Sequence, residues 1–490
     1  MKKISNYILI GIFALTLFGC EKYLDVNTDP NNPQDVTADF VLPAAQTSVA
    51  ITMGNSYFNL GGFWSQYYTQ SPTASQYKKM EAYNLTTDFF DREWSEAYAG
   101  GLNDLEIIRT KSTASGDHGY YLIATLLQAY TFQMLSDLYD DIPFFEALKG
   151  VSDGTLNPKF DNGADIYPVL LDRIDEAMTR YQDADDAGME PGDRDLIYGG
   201  DLDQWLSFGN TLKLKMYMRM SYTSMANPTA VQDLLTVGNF ITADAAITQF
   251  GDESGKRNPF YDVQYDFLSG VNQRASKTLF GYLEDNEDPR LAAIYNESSA
   301  GGQKGHPQGD YDNLDVKGTD LSEPNISATT PVFLMTLTER DFLIAEAEVR
   351  YNAGAGAQVA YESGIANSLL LHGIAGADSI YQAGGAYEYA ATGDVESDIG
   401  QIMMQKWVAM ANVNNLEGFF EMNRTHYPPL SAAPKGTEGA VGELTTSFAS
   451  ILPEGKTPKR LFLPDVEIQR NSSGVTQVSN IYTKVWWDKK

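Results

Sequence analysis

One cysteine stands in 490 residues, Cys20, and its surroundings give it a specific chemistry. Lys2 and Lys3 supply a positive start, Tyr7 to Phe18 is almost wholly apolar, and Leu17-Phe18-Gly19-Cys20 closes the run with a small residue before the thiol. This is the layout of a lipoprotein signal peptide, in contrast to a secretory signal followed by an incidental cysteine. Cleavage before Cys20 removes residues 1–19 and frees the thiol for acylation, so the apolar run never becomes a mature membrane span. Several acyl chains hold a protein on a bilayer far more firmly than one. With no second cysteine, no disulfide can form within the chain.

A second concentration of chemistry lies between Tyr57 and Tyr98, where twelve aromatics fall in 42 residues, more than double the chain's 12%. Trp94 and Tyr98 are four apart with Leu102 and Leu105 following at helical spacing, and read as packing. Trp64, Tyr67, Tyr68, Tyr77 and Tyr83 sit instead in a less periodic segment among Gln66, Gln76 and Asn84. Sugar rings present apolar C–H faces that stack on indole and phenol rings, while amides bind their hydroxyl edges. These eight residues are therefore candidates for a glycan platform, and the competing reading is the aromatic-rich edge of a core. Tyr261, Tyr265, Phe267 and Asn272 form a second candidate group.

No catalytic constellation is expected. A glycosidase needs two carboxylates about 5 to 9.5 Å apart. Asp140-Asp141 adjoins a helix end, and Glu346 and Glu348, two apart on a helix, point to different faces. The four histidines, His118, His306, His372 and His426, are scattered, with no HExxH, CxxC, GxSxG or phosphate-binding glycine loop. No cofactor or metal is expected. Asp310, Asp312 and Asp315 could attract calcium, but their spacing does not make an EF-hand loop and solvated loop is the simpler reading.

Charge narrows the partners. The 65 acidic residues exceed the 35 basic ones, and removing the signal takes away two lysines, leaving −32. A nucleic acid needs a basic face to displace counterions, and no long segment offers one. Such a charge suits a dispersed body held off the lipid by a tether, and Thr28 to Pro33, with its Asp, two Asn and two Pro, reads as that tether. Residues 20–34 are thus the lipidated N-terminus and tether, and 35–490 a single globular body.

The elements that must position these groups are mainly α-helical. Tyr120 to Tyr139 carries no Gly or Pro and is apolar on all sides, which predicts a central buried helix ended by Ile142-Pro143. Ile166, Leu170, Ile174, Ala177, Met178 and Tyr181 make the inner stripe of a surface helix. Trp205, Phe208, Leu212, Met216 and Met220 repeat that stripe, as do Phe342, Ala345 and Val349, and Ile402, Met403, Trp407 and Met410. Residues 251–330, 373–398 and 427–458 show no usable period and read as long loops, where a binding surface could be built.

Landmarks along the whole chain resemble one family. CEKYLD at 20–25 with Asn27, Asp29 and Pro30, ATLLQAYTFQMLSDLYDDIPFFEAL at 124–148, WLSFGNTLKLKMYMRMS at 205–221, DPRL at 288–291, FLIAEAEVR at 342–350, EGFFEMNR at 417–424, RLFLPDVEIQRN at 460–471 and VWWD at 485–488 are similar, in order, to those of the SusD/RagB nutrient-binding outer-membrane lipoproteins of Bacteroidota. The resemblance implies tetratricopeptide-like helix pairs beside a loop-rich lobe with little β structure. It also implies a lipid-anchored, surface-exposed protein of the outer membrane that captures oligosaccharide for a SusC-like TonB-dependent transporter; capture of peptide or another nutrient is the alternative. Two departures stand out: Asp140 occupies a place where the family often has Gly, and the residues after Cys20 form no long acidic export signal. Asp137, Tyr139, Pro143, Arg290, Arg424 and Trp486 are expected to hold the fold together rather than touch ligand.

Overall fold

The computed structural model describes residues 36–490, except Ser269, Val271 and the side chains of Asp266 and Phe267. Cys20, the expected signal peptide and the expected tether lie outside these described residues. The chain opens with α1 (Ala38–Gly54) and α2 (Ser56–Trp64), then passes through strand β1 (Tyr68–Gln70) to α3 (Asn103–Ser115) and α4 (His118–Tyr139). A β2–β3 pair (Asp141–Pro143, Phe160–Asn162) leads to α5 (Gly163–Gln182), α6 (Leu202–Arg219) and α7 (Pro228–Val237). After the looped region come α9 (Leu337–Tyr351), α10 (Ala357–Leu371), α11 (Val395–Met410) and α12 (Asn415–Thr425). Consecutive helices pack as pairs: α3 on α4, α4 on α5, α9 on α10 and α11 on α12. Among the described residues no helix is long and apolar enough to cross a membrane.

The central helix forms as its composition requires. Every residue of α4 after His118 is buried, so its apolar all-round surface is matched on every side. It stops at Asp140, whose φ of 71° is a backbone state that favours glycine. Here an aspartate takes that strain and uses its carboxylate instead, accepting from Arg460 Nη1 at 2.9 Å and from the Trp486 N–H at 2.7 Å. Helix α5 is its amphipathic neighbour, with Ile166, Leu170 and Ile174 fully buried and Asp172, Asp175 and Glu176 exposed.

Helices distant in sequence meet around a buried charge network. Lys215 and Arg219 of α6, Arg350 of α9, Lys406 of α11 and Arg424 of α12 face Asp137, Glu339, Glu346, Glu417 and Glu421. Burial pushes the Glu421 carboxyl up, but Arg424, Lys406 and Arg219 outweigh it and hold the group well below the usual carboxylate range. Asp137 goes the other way: burial lifts it to about 6 despite Arg219 beside it. The expectation that Asp137, Arg290 and Arg424 pair buried charges is met, with Arg290 chelating Asp288 through Nη2 at 2.7 Å.

The aperiodic segment 251–330 holds more order than its sequence suggests. Helix α8 (Lys277–Asp285), capped by Ser276, lies inside it, and its apolar set Leu279, Phe280 and Leu283 spans too few turns to register as a period. Short antiparallel pairs complete the lobe: β1 with β5 (Gln273–Ala275), β6 with β7 (Tyr295–Asn296, Glu323–Pro324), and β4 with β8 (Ala245–Ile247, Val332–Met335). Segment 427–458 holds no helix or strand beyond one isolated bridge, Leu430 to Leu444.

Candidate functional site

The structure moves the first aromatic group into the core. Trp64, Tyr67, Tyr68 and Tyr83 are at most 4% exposed. Trp64 Nε1 donates to the Met80 carbonyl at 3.1 Å, Tyr67 Oη to the Trp407 carbonyl at 2.7 Å, and Tyr68 Oη to Asn412 Oδ1 at 2.6 Å. Tyr83 stands edge-on to Trp64. Gln66 is equally internal, its amide clasping the Thr445 backbone and Thr278. Rings buried inside the protein offer no stacking surface to a sugar, so the expectation of a platform at these five positions is corrected. Gln76 and Asn84 are exposed, and Tyr77 is nearly buried against Phe63.

The second group fares differently, and the fold joins it to Tyr77. Strand β5 pairs with β1 in the register Gln70 to Gln273, which draws the segment before β5 against the loop after β1. Asn272 is buried, and its carbonyl accepts from Ser71 N–H at 2.8 Å. Gln264 Nε2 donates to Tyr77 Oη at 2.7 Å, and Gln70 Oε1 accepts from the Tyr77 N–H at 2.7 Å.

The segment carrying Tyr261 and Tyr265 is pinned from below. Asn258 is buried, caps the turn by accepting from the Phe260 and Tyr261 N–H groups, and donates to the Thr330 carbonyl. Phe260 is sunk against Phe58 and Tyr68. Pro259–Tyr261 then continues into one π-helical turn, Asp262–Phe267, a geometry that recurs at functional sites. That turn sets Tyr261 and Tyr265 face to face, ring centroids 4.3 Å apart and 24° between planes, both half-buried. The Phe267 side chain lies outside the described residues.

Polar groups gather beside the pair. Gln264 Oε1 and Asp262 Oδ1 are buried with no hydrogen-bond partner among the described residues. Arg274 donates to the Gly318 carbonyl and pairs with Glu323 at 3.3 Å. Burial, helped by Glu323 and Tyr261, pushes the Tyr265 hydroxyl up to about 12, so it remains a neutral donor and acceptor. Gln264, Arg274 and Glu323 escaped the sequence reading, because nothing in the pattern signals that β5 brings them to the tyrosines. The acidic loop residues are engaged elsewhere, Asp312 by Lys78 at 2.7 Å and Asp310 by Asn313. Asp140 and Glu346 are likewise held by arginines.

The molecule is thus a helical body with a loop-built lobe that bears a half-buried aromatic pair. Over residues 30–445 the chain matches the SusD-like family described as starch-binding and associating with the outer membrane, and it belongs to that family. Solved structures agree on the fold. A SusD homolog from Bacteroides uniformis is 23% identical with a TM-score of 0.74, covering 92% of this chain and 100% of its own. A chitin-binding SusD homolog from Flavobacterium johnsoniae is 20% identical with a TM-score of 0.72, covering 91% of this chain and 98% of its own. A structure named as a chitin-binding protein is 23% identical with a TM-score of 0.68, over 92% and 100%. Comparison with curated proteins returns no match.

Proposed function

We propose that this protein captures oligosaccharide at the outer membrane, anchored by acyl chains on Cys20, and delivers it to a SusC-like TonB-dependent transporter. The observation that carries the binding step is the stacked pair Tyr261 and Tyr265, a half-buried aromatic surface on the loop-built lobe. A hexose ring laid on the exposed part of this pair would hide its C–H face there. The chitin-binding names among the similar structures favour glycan over peptide. Catalysis is not part of this reading.

The test is a calorimetric panel of chito- and malto-oligosaccharides against the mature protein. Saturable binding by one class, in the micromolar to millimolar range expected of a few stacked rings, supports the reading. Failure of every glycan alongside binding of peptides overturns it. The delivery step predicts co-purification with a large TonB-dependent barrel in mild detergent, and recovery of only free monomer from cells with the native operon argues against it.

A further inference from the structure

On the helical side, far in the sequence from the tyrosine pair, a cavity of about 570 Å³ opens between α3, α4, α5 and the loop after β2. That volume suits a small organic ligand. Its wall is mostly apolar: Phe144 forms the floor, and Ile107, Phe145, Leu148 and Val151 reach its rim. Phe145 is 41% exposed and Val151 fully so, which leaves the apolar rim open to solvent.

The charges around this cavity run against those of the chain. In a protein of net charge −30, the lining carries Arg109, Lys111, Lys149 and Arg173 against one carboxylate, Glu106. That carboxylate is already taken. Glu106 Oε2 accepts from Arg109 Nη1 at 2.8 Å and from Gln128 Nε2 at 3.0 Å, and Arg109 completes its own set with Thr125 and Tyr121. Arg173 is left over. Its guanidinium lies 4.5 Å above the Phe144 ring, and no carboxylate among the described residues is within ion-pairing distance. A half-buried guanidinium without an anion has given up water for little in return. Burial, reinforced by the neighbouring charge of Arg109, pushes its proton affinity down, and Glu106, held by Arg109, offsets this only in part.

We infer that this cavity binds a small amphiphilic carboxylate, an aryl- or alkyl-bearing acid whose apolar body fills the space beside Phe144 and Phe145 and whose carboxylate pairs with Arg173. The two-pronged guanidinium matches a carboxylate in plane, which a neutral amide cannot reproduce. This site is independent of the glycan reading, since no residue is shared.

The experiment is calorimetry of the mature protein with phenylpropionate and octanoate as probes, and phenylpropionamide as the neutral control. Saturable binding of one acid, with the amide about tenfold weaker or more, is expected. Arg173→Gln should cut acid binding about tenfold, leave the thermal midpoint and glycan binding unchanged, and not alter the amide. Phe145→Ala, at a partly exposed position with little folding risk, should weaken acid and amide alike. No saturation by either acid at about 10 mM overturns the inference, as does equal affinity for acid and amide. Unchanged acid binding in Phe145→Ala would remove the ligand from this cavity, and unchanged binding in Arg173→Gln would remove the ion pair.

Discussion

Arg424 closes a two-pronged ion pair on Glu346, Nη1 to Oε1 at 2.7 Å and Nη2 to Oε2 at 2.5 Å, with neither side chain exposed to solvent. The pair bolts α12 to α9 at the centre of the buried network, where Glu421 also reaches Arg424. Removing one partner of such a pair strands the other in a low-dielectric interior. Arg424→Met should therefore cost about 3 to 5 kcal/mol by denaturant unfolding. A loss within the range of a surface substitution would mean that the network contributes little to stability.

The two aromatic groups should behave oppositely. Trp64→Ala empties a packed site beside Phe419 and should lower stability by about 3 to 5 kcal/mol. Tyr265→Ala removes a half-exposed ring, so thermal stability should change little while glycan affinity falls about tenfold, near 1.4 kcal/mol. A Tyr265→Ala protein that binds every glycan as the parent does removes this pair from the site.

Glu81 gives the protein a pH dependence near neutrality. Its carboxylate is fully buried, with Thr69 Oγ1 at 2.6 Å, Gln70 N–H at 2.9 Å and Gly309 N–H at 2.8 Å as donors. Burial outweighs those donors and lifts the group to about 7 from an ordinary 4.5. The folded state thus holds this proton more tightly than the unfolded one. The resulting stabilisation is complete below about pH 4.5 and is lost as pH rises through 7, a change of roughly 3 kcal/mol. Unfolding free energies across that window should show the decline in the parent and not in Glu81→Gln; parallel curves would assign the titration elsewhere.

Acylation at Cys20 is tested by Cys20→Ala, which should shift the protein from the membrane fraction to the soluble one. Persistence in the membrane fraction, released only by detergent, would count against the anchor.

What the sequence made legible follows from period and length. Helix α4 is long and apolar all round, so its central place could be read directly, and the stripe of α5 gave its buried face residue by residue. The lobe was not legible, because strands of two to four residues and helices of two turns leave no measurable period. Tyr57, Leu60, Trp64 and Tyr67 do step at helical intervals, a signal of core that the surrounding Gln and Ser residues masked. Glu417, Glu421 and Arg424 share a helix face as well, yet a charged face reads as solvated until α6 and α9 supply the countercharges.

The contacts of the first helices also set an order of assembly. Tyr67 and Ser65, just beyond α2, are bonded to Trp407 across 340 and 342 positions of chain, and a Cβ at Gly61 would collide with the backbone of Asn415. The residues of α2 and just beyond it therefore find neighbours in the C-terminal helices. Until α11 and the turn after it exist, the nascent chain carries Tyr67 and Tyr68 without their hydrogen-bond partners Trp407 and Asn412, and contacts so distant in sequence form slowly. The packing around Tyr67 is consequently complete only once the C-terminal helices are present.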